Sequence, residues 1–167
     1  MKLPVAQQLR PFEKMPQKNK LSLSVQYPDV RLKDIISRTR IRPWVQAALL
    51  APAELTIRFV NAKEGQELNR EYRGKDYATN VLTFAYTEDE DSVITQADII
   101  LCTDVLQQEA VTFGKTIESH VAHLIVHGVL HAQGYDHEDE EEAEEMESLE
   151  IKILAGLGID NPYAGDR

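Results

Sequence analysis

Residues Ile117 to Gln133 read as a helix that is apolar around most of its circumference, and this segment constrains the fold more than any other. At about 100° per residue, Ile117, Val121, Leu124 and Ile125 form one apolar stripe, and Val126, Val129 and Leu130 make much of the remainder apolar. A helix of this kind belongs in the centre of a domain, covered by other elements. His120, His123, His127 and His131 form a second stripe beside the first. Neutral imidazoles are costly to bury without partners, and a metal ion supplies one.

The run His127-Gly128-Val129-Leu130-His131-Ala132-Gln133-Gly134-Tyr135-Asp136-His137 makes that ion specific. Residues four apart lie one turn apart on the same helix face, so His127 and His131 converge. Gly134 tolerates positive φ, which lets the helix stop and the chain fold back. His137 then returns as a third ligand. Three imidazoles with an open fourth position is the pattern of a catalytic zinc rather than a structural one. The chain therefore reads as a metal-dependent hydrolase with one zinc ion, the default for such a donor set. His120 and His123 lack the third-ligand spacing, and a structural role or one orienting the ligands suits them better. Asp136 is a second candidate for orienting a ligand imidazole.

The same spacing occurs in metzincin proteases, whose motif begins His-Glu. Here position 128 is Gly, so the carboxylate that serves as general base in peptide hydrolysis is missing. Three neutral ligands leave most of the ion's charge in place, so a metal-bound water would have its pKa drawn toward ~7. Residual positive charge favours an anionic substrate, and a phosphodiester is a natural candidate. Phosphoryl chemistry wants further cations. Arg70, Arg73 and Lys75, in the segment Arg70-Glu71-Tyr72-Arg73-Gly74-Lys75-Asp76, supply them.

A chain of 167 residues is expected to form one domain with a real core. The single cysteine, Cys102, excludes an internal disulfide framework and fits a reducing, cytoplasmic setting. Its apolar neighbours mark it as a small buried hydrophobe rather than a ligand. No segment approaches the length of a membrane span. The net charge of −10 is concentrated: Asp136 to Glu150 holds ten carboxylates and no Lys or Arg, leaving 18 acidic and 18 basic residues elsewhere. Charge is segregated, so an acidic total does not exclude an RNA partner.

Residues 1 to 20, with Lys2, Arg10, Lys14, Lys18 and Lys20 against Glu13, read as a basic N-terminal extension ahead of a domain over residues 21 to 163. Alternating apolar residues predict strands at Leu21 to Tyr27 and Leu55 to Val60. Further strands are expected at Asn80 to Tyr86 and Ala97 to Cys102, joined as a long hairpin across Thr87 to Gln96. Helices are expected over Leu32 to Leu50, restarted at Pro43; over Ala62 to Tyr72; over Val105 to Phe113 with Asp104 as N-cap; over Ile117 to Gln133 with Thr116 as N-cap; and from about Asp139 to Leu154. The fold class is α+β, a single domain with a mixed sheet of about four strands against helices and a zincin-like metal site on a helix. The acidic stretch Glu138 to Glu150 reads as the solvated face of a helix whose Met146, Leu149 and Ile153 pack inward.

His127-Gly-x-Leu-His131-x-x-Gly134-Tyr135-Asp136-His137 resembles the signature of the bacterial YbeY proteins, endoribonucleases and rRNA maturation factors. Two further blocks agree, Leu68-Asn69-x-x-Tyr72-Arg73-Gly74-Lys75-Asp76-x-x-Thr79-Asn80-Val81-Leu82-Thr83-Phe84 and Asp98-Ile99-Ile100-Leu101-Cys102, and Glu142, Met146 and Glu150 fit the following helix. The resemblance spans roughly residues 50 to 163. It implies a zinc-dependent endoribonuclease in rRNA processing, chiefly 16S rRNA 3′-end maturation, and in ribosome quality control. It implies metal binding at His127, His131 and His137 and a functional Arg73, which we assign to phosphate or transition-state charge. Arg70 and Lys75 are the RNA-binding candidates. The implied partners are rRNA and the ribosome (30S or 70S), with ribosomal proteins beside them. Ala97 departs from the family, which usually has Gly there. The alternative from another class is a non-catalytic ribosome-assembly factor with a structural metal.

Overall fold

The structure is a computed structural model that describes residues 19–86 and 94–164. All but the last two residues of the expected N-terminal extension, and most of the acidic link between the third and fourth strands, lie outside the described residues. The chain runs β1 (Leu21–Gln26), α1 (Arg38–Ala48), β2 (Ala53–Val60), α2 (Ala62–Arg73), β3 (Val81–Ala85), β4 (Thr95–Cys102), α3 (Thr103–Thr112), α4 (Ile117–Ala132) and α5 (Glu140–Gly156). The strands form one mixed sheet in the order β1-β2-β4-β3. β1, β2 and β4 are parallel, and β3 pairs antiparallel with β4 from Val81↔Leu101 to Ala85↔Ala97. This is the expected α+β domain, a four-stranded mixed sheet with five helices among the described residues.

Alternation along the strands gives the sheet two different faces. Leu55, Ile57, Phe59, Ile99 and Leu101 point to one side, where they meet Ile41 and Val45 of α1, Val121, Ile125 and Val129 of α4, and Met146 and Leu154 of α5. Val60, Ile100 and Cys102 point to the other side, under Leu68 of α2. Cys102 is buried and free, as its apolar setting predicts, and burial pushes its thiol pKa up. Phe59 is fully buried and stacked on Tyr27 at 5.3 Å between ring centroids, a burial that contributes about 2–3 kcal/mol. Among the described residues, no helix is long and apolar enough to cross a membrane.

Two helices differ from the sequence expectation. The first helix begins at Arg38 rather than Leu32, capped by Ser37, whose side chain accepts from the Arg40 N–H. Leu32 and Ile36 are buried all the same, but from a turn. Pro43 lies inside α1 and does not restart it; the helix forgoes one rung there, and Trp44 and Val45 pack directly after it. Asp104 does not cap α3. That helix starts two residues earlier than expected, at Thr103, with no side-chain cap on Cys102. The Asp104 carboxylate instead accepts from the backbone N–H of Ala62 at 2.6 Å and from Arg31 at 2.7 Å, so it serves the N-terminus of α2. A carboxylate there meets the positive end of the helix dipole.

The hydrogen bonds from Arg31 hold the Asp29 and Asp104 carboxyls below the usual carboxylate range. Both are depressed in the folded state, so their contribution is complete above the ordinary pKa of 3.8 and is lost as pH falls below it. Asp104→Ala is expected to cost about 1 kcal/mol, toward the lower end for a partly solvated pair. Urea unfolding at pH 7 and pH 3 checks this: the variant should lose stability at pH 7 and differ less from wild type at pH 3.

Candidate metal centre

The centre begins with how α4 is seated. Thr116 caps it as expected, its hydroxyl accepting from the Ser119 N–H at 3.1 Å. Gly128 lies against the sheet, where an added Cβ would stand 3.1 Å from Ile99 Cγ2 and 3.4 Å from Thr83 Oγ1. The position that carries Glu in metzincins therefore faces strands β3 and β4, not the histidines. Any side chain there would press on Ile99 and Thr83.

Gly134 does what its position predicts. It takes φ 106°, and the helix closes with hydrogen bonds from Gly134 N to His131 O (3.1 Å) and from Tyr135 N to Leu130 O (3.1 Å). This pairing of bonds returns the chain toward the helix it has just left. The Tyr135 carbonyl then accepts from His131 Nδ1 at 2.9 Å. A carbonyl only accepts, so His131 carries its proton on Nδ1 and leaves the Nε2 lone pair free.

His127 is held the same way by a different group. Its Nδ1 lies 2.7 Å from Glu150 Oε2 on α5. Glu150 is fully buried, and its other oxygen takes His123 Nε2 at 2.8 Å and the Tyr163 hydroxyl. Burial opposes the charge on this carboxylate. The hydrogen bonds from His123 and His127, the positive charge available on His127 and the Tyr163 hydroxyl outweigh burial and lower its pKa to about 2. His123 thus spends Nε2 on Glu150, and its buried Nδ1 has no hydrogen-bond partner among the described residues. His120, nearer the start of α4, bonds Glu109 at 2.9 Å, and Glu109 also accepts from Asn80. Burial pushes the His120 pKa down against the pull of Glu109.

The rings of His127, His131 and His137 form a triangle with centroids 6.4, 6.2 and 5.6 Å apart. Asp136 does not hydrogen-bond a ring; its carboxylate accepts from the backbone N–H of His137 at 2.7 Å, tightening the turn that delivers that residue. Among the described residues, no three His, Cys, Asp or Glu side chains are gathered closely enough to close on an ion as they stand. The donors fit in kind and number, and both helical imidazoles have Nδ1 occupied and Nε2 free.

Arg73 ends α2, followed by Gly74 at φ 71°. Its guanidinium donates to the Thr83 carbonyl at 2.6 Å and lies over the Phe84 ring at 5.4 Å. Because Thr83 also faces Gly128, Arg73 and α4 flank the same strand. Arg70 pairs loosely with Asp76 at 3.6 Å, and Lys75 is exposed with no ion pair among the described residues.

Glu150 and Tyr163 are the site residues that sequence reasoning missed. Glu150 was read with the solvated acidic face, yet the inward face of α5 is Met146, Glu150 and Leu154, with Leu149 and Ile153 half-buried beside it. The signal was the four-residue spacing that places Glu150 between two core residues. The remaining acids have another reason to be there: Asp139 caps α5 and Glu140, Glu141 and Glu142 sit in its first turn, where negative charge is favourable.

Gly134→Ala is expected to lose about 1–2 kcal/mol, because an L side chain is strained at this φ. The Tyr135 carbonyl that orients His131 should shift with it. Thermal unfolding and the His131 ring signals in a nuclear magnetic resonance spectrum check both effects.

The Endoribonuclease YbeY family model matches residues 18–158. An Endoribonuclease YbeY of Janthinobacterium sp. (strain Marseille) is 76% identical over 149 residues, covering 89% of this chain and 98% of that protein. One from Herminiimonas arsenicoxydans is 67% identical, covering 88% and 97%. In structure, the chain is similar to the solution structure of TM1509 from Thermotoga maritima, with TM-score 0.52 and 24% identity over 81% of this chain and 91% of that one. That likeness is one of fold. The match along nearly the whole domain, at these identities, places the chain in the YbeY endoribonuclease family.

Proposed function

We propose that this protein is a zinc-dependent endoribonuclease of rRNA processing. Its substrate would be precursor rRNA at the 3′ end of the 16S species, and its setting the cytoplasmic ribosome and ribosome quality control. The observation that carries the reading is the triangle of three imidazoles, two of them held at Nδ1, which leaves Nε2 as the nitrogen for an ion. Relatives named as endoribonucleases support the choice of substrate class.

His127, His131 and His137 would hold one ion, which supplies a Lewis acid for phosphoryl chemistry when bound. The residues of the chain do the rest. Glu150 and the Tyr135 carbonyl orient two of the three rings. Arg73, a fixed cation at the edge of β3, offers its remaining N–H groups to a phosphate. Arg70 and Lys75 extend that positive edge, while the acidic first turns of α5 repel a polyanion. An RNA strand would therefore approach from the α2 side.

Zinc-loaded protein incubated with a precursor rRNA fragment, beside folded His131→Ala and a chelator control, tests the reading. It expects cleavage by wild type that disappears in both controls. Equal cleavage by the variant would assign the activity to a contaminant. RNA binding without cleavage would favour a non-catalytic assembly factor. Lys75→Glu is expected to weaken RNA binding about three- to ten-fold at low salt, more than Glu147→Lys strengthens it. Fluorescence anisotropy with a single-stranded RNA reads both.

A further inference from the structure

We propose that Glu150, held by Tyr163, is the positioning residue of the metal centre: it fixes the His127 ring with its proton on Nδ1, so that Nε2 alone can ligate. The inference rests on the metal reading above and adds to it a part of the chain that the three-histidine motif does not contain.

The geometry is specific. Glu150 sits on α5, 23 residues beyond His127, and reaches α4 through a fully buried carboxylate. Each oxygen has its own task. Oε2 accepts from His127 Nδ1 at 2.7 Å, and Oε1 accepts from His123 Nε2 at 2.8 Å and from the Tyr163 hydroxyl. His123 and Tyr163 also meet edge to face, with ring centroids 5.3 Å apart. The carboxylate cannot rotate without breaking bonds on both sides. A buried charge in this position costs free energy, and a core of Met146 and Leu154 has no need of it. Three donors on one carboxylate make sense as a device for aiming a ring. An imidazole whose inner nitrogen donates to a carboxylate is fixed in orientation and becomes a more basic ligand at its outer nitrogen.

The Tyr163 contact extends the device toward the end of the chain. Tyr163 follows α5 after a turn in which its own backbone N–H donates to Asn161 Oδ1 at 2.8 Å. It lies beyond the residues matched by the family model, which end at 158. The segment after α5 therefore contributes to the centre through Glu150.

The test compares wild type, Glu150→Gln, Glu150→Asp and Tyr163→Phe, each checked for folding by circular dichroism. Long-range ¹H–¹⁵N correlation of the metal-free proteins reads the ring tautomers, and competition with a chromogenic chelator reads zinc affinity. The wild-type His127 ring should carry its proton on Nδ1. Glu150→Gln should lose that preference while His131, held by the Tyr135 carbonyl, keeps its own. Zinc affinity should fall roughly 10–100-fold in Glu150→Gln and by a smaller factor in Tyr163→Phe, with partial recovery in Glu150→Asp. A folded Glu150→Gln protein with unchanged tautomer and zinc affinity overturns the inference. If Glu150→Gln does not fold, a wild-type His127 protonated on Nε2, or a Tyr163→Phe protein with wild-type zinc affinity, overturns it instead. Wild-type protein that binds no zinc overturns the metal reading and this inference with it; equal zinc binding by wild type and Glu150→Gln overturns the inference alone.

Discussion

The close approach of α4 to the sheet at Gly128 sets the position of everything else in the centre. Without a side chain at that point, the helix lies against Ile99 and Thr83, and its apolar stripe meets strands β2 and β4. The histidine stripe is then turned toward the remaining open side, where α5 closes over it. Packing alone would leave the half-buried rings of His123 and His127 without partners there. Glu150 resolves this by taking one nitrogen from each of two rings, at the cost of burying its own charge.

A division of labour follows from this arrangement. Local backbone geometry handles His131 and His137: the turn around Gly134 both stops the helix and supplies the Tyr135 carbonyl. Long-range packing handles His127, through α5 and the segment after it. Arg73 is placed independently, by the end of α2 and the edge of β3. The strand between Arg73 and α4 makes them neighbours, so the sheet serves as the ruler between the histidine cluster and the guanidinium.

What could be read from the sequence was what local spacing encodes. His127 and His131 share a face because of the helical repeat, and Gly134 announces the turn before His137; neither needs a distant partner. The strands were legible for the same reason, through the alternation of Leu21, Leu23 and Val25 or of Leu55, Ile57 and Phe59. Asp104 misled because an acid just before a helix looks like its cap, while its partners, Ala62 and Arg31, are 42 and 73 residues away. Glu150 was hidden by its neighbours: one buried carboxylate among many solvated ones differs only in register with Met146 and Leu154. Tyr163 carried no local signal at all. The features that escaped are those whose meaning depends on contacts between distant parts of the chain.

The most direct test of the central claim is anomalous diffraction at the zinc edge from crystals of the protein grown with zinc. The account predicts one anomalous peak per chain, within bonding distance of Nε2 of His127, His131 and His137, with Glu150 still on Nδ1 of His127. A peak elsewhere, or none at full zinc saturation, would contradict it.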